Sequence, residues 1–168
     1  MRIISGYLRG RKITQPNNKL TRPLKDLMKE SIFNILQHSN LISFSLEKSK
    51  ILDLFSGVGS FGLECISRGA QNVIFCENYS EAIKILKKNI TNLKCHQKTQ
   101  IITKNIFNIK NLNQFHKKKF EIIFLDPPYK EKKLTNLLDD ILSLKLLKNN
   151  GIIIIHRHKK EEEIYPKK

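Results

Sequence analysis

Four apolar residues in succession, Ile122-Ile123-Phe124-Leu125, run directly into Asp126-Pro127-Pro128-Tyr129. An unbroken apolar run of this kind is what a strand buried on both faces of a parallel sheet requires. It is then stopped abruptly: Pro127 drives Asp126 towards an extended conformation, and neither proline has an N–H to give to a sheet ladder. The stretch therefore points to a stiff loop at the carboxyl end of a buried strand, the edge where open α/β sheets bind ligands. A carboxylate, a rigid carbonyl and an aromatic ring on that edge suit gripping a planar base by its amino group. A proline turn followed by a helix cap is the plainer reading of Asp-Pro, and the rest of the chain decides between the two.

From Lys50 onward strand and helix signals alternate, which predicts a doubly wound, mostly parallel sheet covered on both faces. Strands are expected at Ile51–Phe55, Val73–Cys76, Gln100–Thr103, Phe120–Leu125 and Ile152–Ile155, the last after a turn at Asn150-Gly151. Helices are expected at Phe61–Arg68, about Ser80–Leu93 and Leu134–Leu147. Upstream, residues 1–20 read as a small basic hairpin turning near Gly10 and carrying Arg9 and Arg11. Thr21-Arg22-Pro23 then starts a helix with an apolar stripe of Leu24, Leu27, Met28, Ile32, Ile35 and Leu36, leaving Asp26 and Lys29 on its other side. The polar segment from Asn40 to Lys50 divides a hairpin-and-helix extension (residues 1–40) from the main unit (residues 50–168).

The first strand of that unit runs into Asp53-Leu54-Phe55-Ser56-Gly57-Val58-Gly59-Ser60-Phe61-Gly62, whose glycines satisfy G-x-G-x-x-G. Glycine is needed where a chain turns tightly and where a ligand must touch backbone. Glu77 closes the second strand, where an acid can accept from both hydroxyls of a ribose. A dinucleotide-dependent dehydrogenase would share both features. Asp53, inside the strand end before the glycines, and Asp126-Pro127-Pro128-Tyr129 after the fourth strand are better suited to S-adenosylmethionine, because hydride transfer has no use for the second motif.

Charge narrows the partner. Lys and Arg number 31 against 15 Asp and Glu, a formal net charge of +16, which favours a polyanion and nucleic acid above all. The crowding of Lys, Asn and Ile is also what AT-rich coding would produce, but drift alone adds no clustering. The basic run His116-Lys117-Lys118-Lys119 has the ordinary reading of a solvated loop. Cys65, Cys76 and Cys95 show no C-x-x-C spacing, which argues against a zinc site or disulfide framework and for a reducing cytoplasm. The first residues lack an apolar signal core, and no apolar run approaches membrane-spanning length, so a soluble cytoplasmic protein without a membrane partner is expected.

Taken together, Asp53–Gly59, Glu77 and Asp126–Tyr129 resemble the amino-group methyltransferases that use S-adenosylmethionine. Gly6, Arg9-Gly10-Arg11, Thr21-Arg22-Pro23, Asp26 and Lys29-Glu30-Ser31-Ile32-Phe33-Asn34 narrow this to similarity with the bacterial 16S ribosomal RNA guanine-N2 methyltransferases acting on guanine 966. The resemblance implies a Rossmann-like class I methyltransferase fold, S-adenosylmethionine as cofactor, and 16S ribosomal RNA or an assembling small subunit as partner, with a monomer as the default state. It implies Asp126, Pro127, Pro128 and Tyr129 as catalytic, and Asp53, Phe55, Gly57, Gly59, Glu77 and Asn105 as cofactor-binding. Arg9, Arg11, Arg22, Asp26 and Lys29 would approach the RNA or brace the site, without a metal ion. Asn105 stands where the family usually has Asp, and Leu27 and Lys29 where it commonly has Arg. The family's closing antiparallel hairpin has no counterpart before Lys168, so either the fold is trimmed or the sequence is shortened. An adenine-N6 methyltransferase acting on DNA or RNA, and a non-catalytic RNA-binding relative, are the rival readings.

Overall fold

The computed structural model describes residues 1–16, 26–128 and 131–157. Five strands form one parallel sheet: β1 (Lys50–Leu54), β2 (Asn72–Cys76), β3 (Thr99–Ile102), β4 (Phe120–Leu125) and β5 (Leu147–Ile155), in the spatial order β3-β2-β1-β4-β5. The order reverses between β1 and β4, which places the ligand crevice of an open α/β sheet at their carboxyl ends. Helices α1 (Asp26–His38), α2 (Ser60–Ser67), α3 (Ser80–Asn92), α4 (Ile109–Leu112) and α5 (Leu134–Ser143), with short 3-10 turns at His96–Lys98 and Asn113–Phe115, complete the described elements. No described helix is long and apolar enough to cross a membrane.

Strand alternation sorts the core into two layers. Ile51, Val73, Phe75, Ile122 and Phe124 face one way, packing on α2, α3, the N-terminal hairpin and α1. Leu52, Leu54, Ile74, Cys76, Ile123 and Leu125 face the other, packing on α5 and the segment around α4. Both faces are therefore apolar, which is why these strands read as continuous runs. On the first face Phe124 stacks on Phe61 at 3.9 Å between centroids, Phe61 on Phe33 at 5.3 Å, and the Arg68 guanidinium lies 4.3 Å from the Phe33 centroid. This column ties α1 to the strand that ends in Asp126.

Residues 1–13 form the expected hairpin, closed by the Ile3 N–H to Arg11 carbonyl bond (2.9 Å) and the Ile13 N–H to Met1 carbonyl bond (2.9 Å). Its turn spans Gly6 to Gly10, both at φ +81°. It docks on the end of α2, where a Cβ on Gly6 would sit 1.9 Å from the Ser67 carbonyl oxygen.

The structure corrects three expectations. Helix α1 buries Lys29, Phe33 and Leu36, whereas Leu27, Met28 and Ile35 of the expected stripe are exposed; Leu24 lies outside the described residues. A lysine takes a core position because Glu64, Asp26 and the Arg2 carbonyl supply it with partners there. Helix α5 ends at Ser143, not Leu147: Lys145 adopts φ +49°, and the Leu146 N–H reaches back to the Ile141 carbonyl at 3.2 Å, a helix stop made without glycine. Strand β5 then starts at Leu147, and Asn150-Gly151 lies in a bulge where residues 148–151 face Glu121 alone. Gly151 fits there because a Cβ would stand 2.8 Å from the Phe120 carbonyl.

Candidate active site

Strand register brings the site together. Leu54 pairs with Cys76 and with Leu125, and Leu125 pairs with Ile155. Phe55, Glu77, Asp126 and His156, each one residue further on, consequently leave the sheet side by side at its carboxyl edge. Residues scattered over a hundred positions become neighbours through register alone.

The glycine turn occupies this edge after β1. Phe55, Gly57 and Gly59 all have positive φ, at +64°, +54° and +86°. A left-handed phenylalanine is a strained position of the kind that collects at functional sites. The two glycines have different reasons to be glycine. A side chain on Gly57 would meet open space, whereas one on Gly59 would stand 2.5 Å from Leu86 Cδ1. Gly57 thus leaves backbone open to a ligand, and Gly59 lets the turn close onto α3. Gly59→Ala should cost roughly 2–4 kcal/mol from φ strain and overpacking, and Gly57→Ala about 1–2 kcal/mol. Urea midpoints check this, and equal losses at the two glycines would contradict it.

Glu77 holds the turn from the neighbouring strand. Its Oε2 accepts the Gly57 N–H at 2.8 Å, and its Oε1 accepts those of Asn78 and Tyr79 at 2.9 and 2.8 Å. A carboxylate has about four acceptor positions, so three are already used. Asn89 on α3, fully buried, binds the turn from below, donating from Nδ2 to the Val58 carbonyl (3.0 Å) and accepting the Thr14 N–H at Oδ1 (2.8 Å).

Asp53 is buried beneath the turn. Its Oδ2 accepts the Gly62 N–H at 3.1 Å, and its Oδ1 has no hydrogen-bond partner among the described residues. Burial pushes its carboxyl well above the ordinary range, opposed by the Gly62 bond and reinforced by the charges of Asp126 and Glu77. An unpartnered buried oxygen beneath an open glycine backbone fits a ligand that brings a cationic donor.

Asp126 is held on the opposite lip. His156 Nδ1 lies 2.9 Å from Asp126 Oδ1, with both side chains about one-fifth exposed (21% and 20%). The Pro128 carbonyl accepts from Arg157 Nη1 at 3.0 Å and from the Glu131 N–H at 2.9 Å. Tyr129 and Arg22 lie outside the described residues. Asn105 is exposed, and its Oδ1 accepts the Phe107 N–H at 3.0 Å. That turn sets the Phe107 ring 5.5 Å from Phe55, giving the crevice an aromatic wall.

Arg9 and Arg11 are exposed on the hairpin, and Arg11 Nη2 donates to the Asn92 carbonyl at 3.0 Å. Lys29, expected to approach the RNA or brace the site, has no exposed side-chain surface with which to touch RNA. Its Nζ donates to the Arg2 carbonyl (2.8 Å) and stands 3.4 Å from Asp26 and 3.8 Å from Glu64. It is an internal brace for the hairpin, and Asp26, about half exposed (47%), is one of its partners.

Sequence reasoning missed His156 as a partner of Asp126, Phe107 as the second ring, and Asn89. The position of His156 one residue after a strand was the available signal, but it needed the β4–β5 register to become meaningful.

A parallel sheet in this order, with a glycine turn after its central strand and Asp-Pro-Pro at the switch point, defines a Rossmann-like domain of the class I methyltransferase type. The chain belongs to the family described as Conserved hypothetical protein 95, whose model matches residues 1–168. Among curated relatives it is 35% identical over 173 residues to ribosomal RNA small subunit methyltransferase D of Haemophilus influenzae, covering 99% of this chain and 83% of that one. It is 36% identical over 168 residues to the protein of that name from Buchnera aphidicola subsp. Acyrthosiphon pisum, covering 98% and 82%. Among solved structures, HI0767 from Haemophilus influenzae superposes with a TM-score of 0.72 at 30% identity, covering 98% of this chain and 85% of that one. The Escherichia coli protein yhhF superposes with a TM-score of 0.74 at 26% identity, covering 92% and 78%.

Proposed function

We propose that this protein methylates the exocyclic N2 of a guanine in small-subunit ribosomal RNA, with S-adenosylmethionine as the methyl donor. The observation that carries the reading is the meeting of Asp126 with the Gly57 turn at the switch point, in a chain whose relatives bear the name ribosomal RNA small subunit methyltransferase D. When bound, S-adenosylmethionine supplies an electrophilic methyl group on a sulfonium sulfur.

The residues of the chain divide the remaining work. Asp53 Oδ1 accepts from the donor's ammonium group, and the open backbone at Gly57 takes its methionine part. Glu77 holds the ribose; with three N–H bonds already made, it has room for about one hydroxyl rather than two. Phe55 and Phe107, in contact with each other, form a wall against one side of the adenine, with Asn105 on the Phe107 loop.

The guanine amino nitrogen is a poor nucleophile because its lone pair is delocalised into the ring. Asp126 and the Pro127 carbonyl accept its two N–H bonds and aim the pair at the methyl carbon, a matter of proximity and preorganised charge. As the new N–C bond formed and the methyl–sulfur bond broke, with the sulfur leaving as a neutral thioether, positive charge would grow on the nitrogen beside the Asp126 carboxylate, which would take the surplus proton and pass it to solvent. His156 keeps Asp126 Oδ1 in place throughout. Tyr129 stacks on a base drawn out of its helix or loop.

Asp53 yields a test that needs no turnover. Its carboxyl is raised in the free protein, and a bound ammonium lowers it, so cofactor binding should release protons at pH values between the two states. Calorimetry in buffers of different ionisation enthalpy measures this. Release should disappear in Asp53→Asn, and buffer-independent heats in the parent protein would remove Asp53 from the ammonium site. The function itself is tested by offering labelled donor with unmodified small-subunit RNA and with duplex DNA. Label in RNA alone supports the reading, and label confined to DNA overturns it.

A further inference from the structure

The run His116-Lys117-Lys118-Lys119, which sequence alone leaves as a solvated loop, is joined in the structure by lysines from distant parts of the chain. Lys50 at the start of β1, Lys98 just before β3 and Lys148 in β5 converge with Lys117, Lys118 and Lys119 on one concave groove of about 500 Å³. It runs across the amino ends of β1 to β4, the pole opposite the active site. Strands of five or six residues put it roughly 17–20 Å from the carboxyl edge. Six of its thirteen lining residues are lysines and none is acidic. Glu121 at its rim engages Lys148 and the Lys50 backbone N–H, so it offsets only part of the charge.

We propose that this groove binds the phosphate backbone of RNA, as a second contact that anchors the substrate behind the catalytic edge; this rests on the reading of the protein as an RNA methyltransferase. Chemistry favours a nucleic-acid strand over a lipid surface. The groove is concave, its apolar lining residues Val73, Ile74 and Phe120 are themselves buried, and Asn72, Gln97, Thr99 and Gln100 offer hydrogen bonds to phosphate and sugar oxygens. Lysines from several separate segments spaced along a groove match a chain of charges better than a single ion.

The test uses the full chain, a small-subunit ribosomal RNA fragment and the double variant Lys117→Glu/Lys118→Glu. RNA affinity should fall about 10- to 30-fold near 0.1 M salt, and the slope of log affinity against log salt should shrink by about 1.4 for two lost single-strand contacts. KM for RNA should rise with kcat and cofactor affinity unchanged, and Lys117→Arg/Lys118→Arg should retain the parent affinity. Unchanged RNA affinity and slope in the Glu variant overturn the inference while leaving the methyltransferase reading intact. Lysine-dependent RNA binding by a protein that methylates no RNA supports the groove and removes the methyltransferase reading instead. Displacement of RNA by inorganic phosphate, beyond the effect of chloride at equal ionic strength, reassigns the groove to a small anion. Binding to phosphatidylserine vesicles that depends on the same lysines, without an effect on RNA, reassigns it to a membrane. Either reassignment overturns the proposal.

Discussion

Asp126→Ala should lower turnover about 10³-fold while leaving cofactor affinity within about twofold. The carboxylate lies just after β4, its Oδ1 held by His156. Removing it takes away an acceptor that acts chiefly as charge develops on the reacting nitrogen, so the loss belongs in kcat rather than in KM. His156→Ala leaves the carboxylate but frees its orientation, and a smaller loss of about tenfold is expected. His156→Asn, which can still donate, should recover part of it. Steady-state kinetics with unmodified small subunits, alongside direct cofactor titration, separates these effects. Turnover preserved in Asp126→Ala would place the chemistry elsewhere on the chain.

Glu64→Ala should be the most destabilising single change, at about 3–5 kcal/mol. Glu64 is fully buried on α2 and accepts the Ile4 N–H (2.8 Å), the Ser5 N–H (2.9 Å) and the Arg68 Nε–H (2.9 Å) while facing Lys29. Burial pushes the Lys29 ammonium below its ordinary range, and Glu64 with Asp26 pulls it back. Without Glu64 a buried lysine loses its main counter-charge, and two backbone N–H groups of the hairpin lose their acceptor. Domains of this size are stable by only about 5–15 kcal/mol, so the loss is a large share. The double variant Lys29→Met/Glu64→Leu should recover part of the stability by removing both charges, but not the part due to the Ile4 and Ser5 bonds. Chemical denaturation of the two singles and the double measures the coupling. Simple additivity would mean that Lys29 and Glu64 do not depend on each other.

The two motifs most visible in the sequence are also the ones that local chemistry determines. Asp126-Pro127-Pro128 must break a strand wherever it stands, and β4 covers Phe120–Leu125 as expected; β1, β2 and β3 fall within a residue of their expected bounds. The glycine turn was likewise legible, because positive φ selects glycine directly. What escaped depends on distant partners. The burial of Lys29 requires Glu64, thirty-five positions away, and turns the buried face of α1 away from Leu27, Met28 and Ile35 while keeping Leu36 inside. The end of α5 was hidden because lysine, not glycine, adopts the left-handed conformation at residue 145. His156 acquires meaning only when β5 lies beside β4 in a register that sets Ile155 against Leu125. The lysine groove, too, joins the run at 117–119 to Lys50, Lys98 and Lys148, which no local pattern links to it.

The central claim is that Asp126 directs methyl transfer to a guanine amino group. The most direct measurement is nucleoside analysis of small-subunit RNA after reaction with labelled S-adenosylmethionine, run in parallel with the parent protein and Asp126→Ala. N2-methylguanosine is expected with the parent protein, with near-complete loss in the variant. N6-methyladenosine as the labelled product, or N2-methylguanosine formed equally by both proteins, would contradict it.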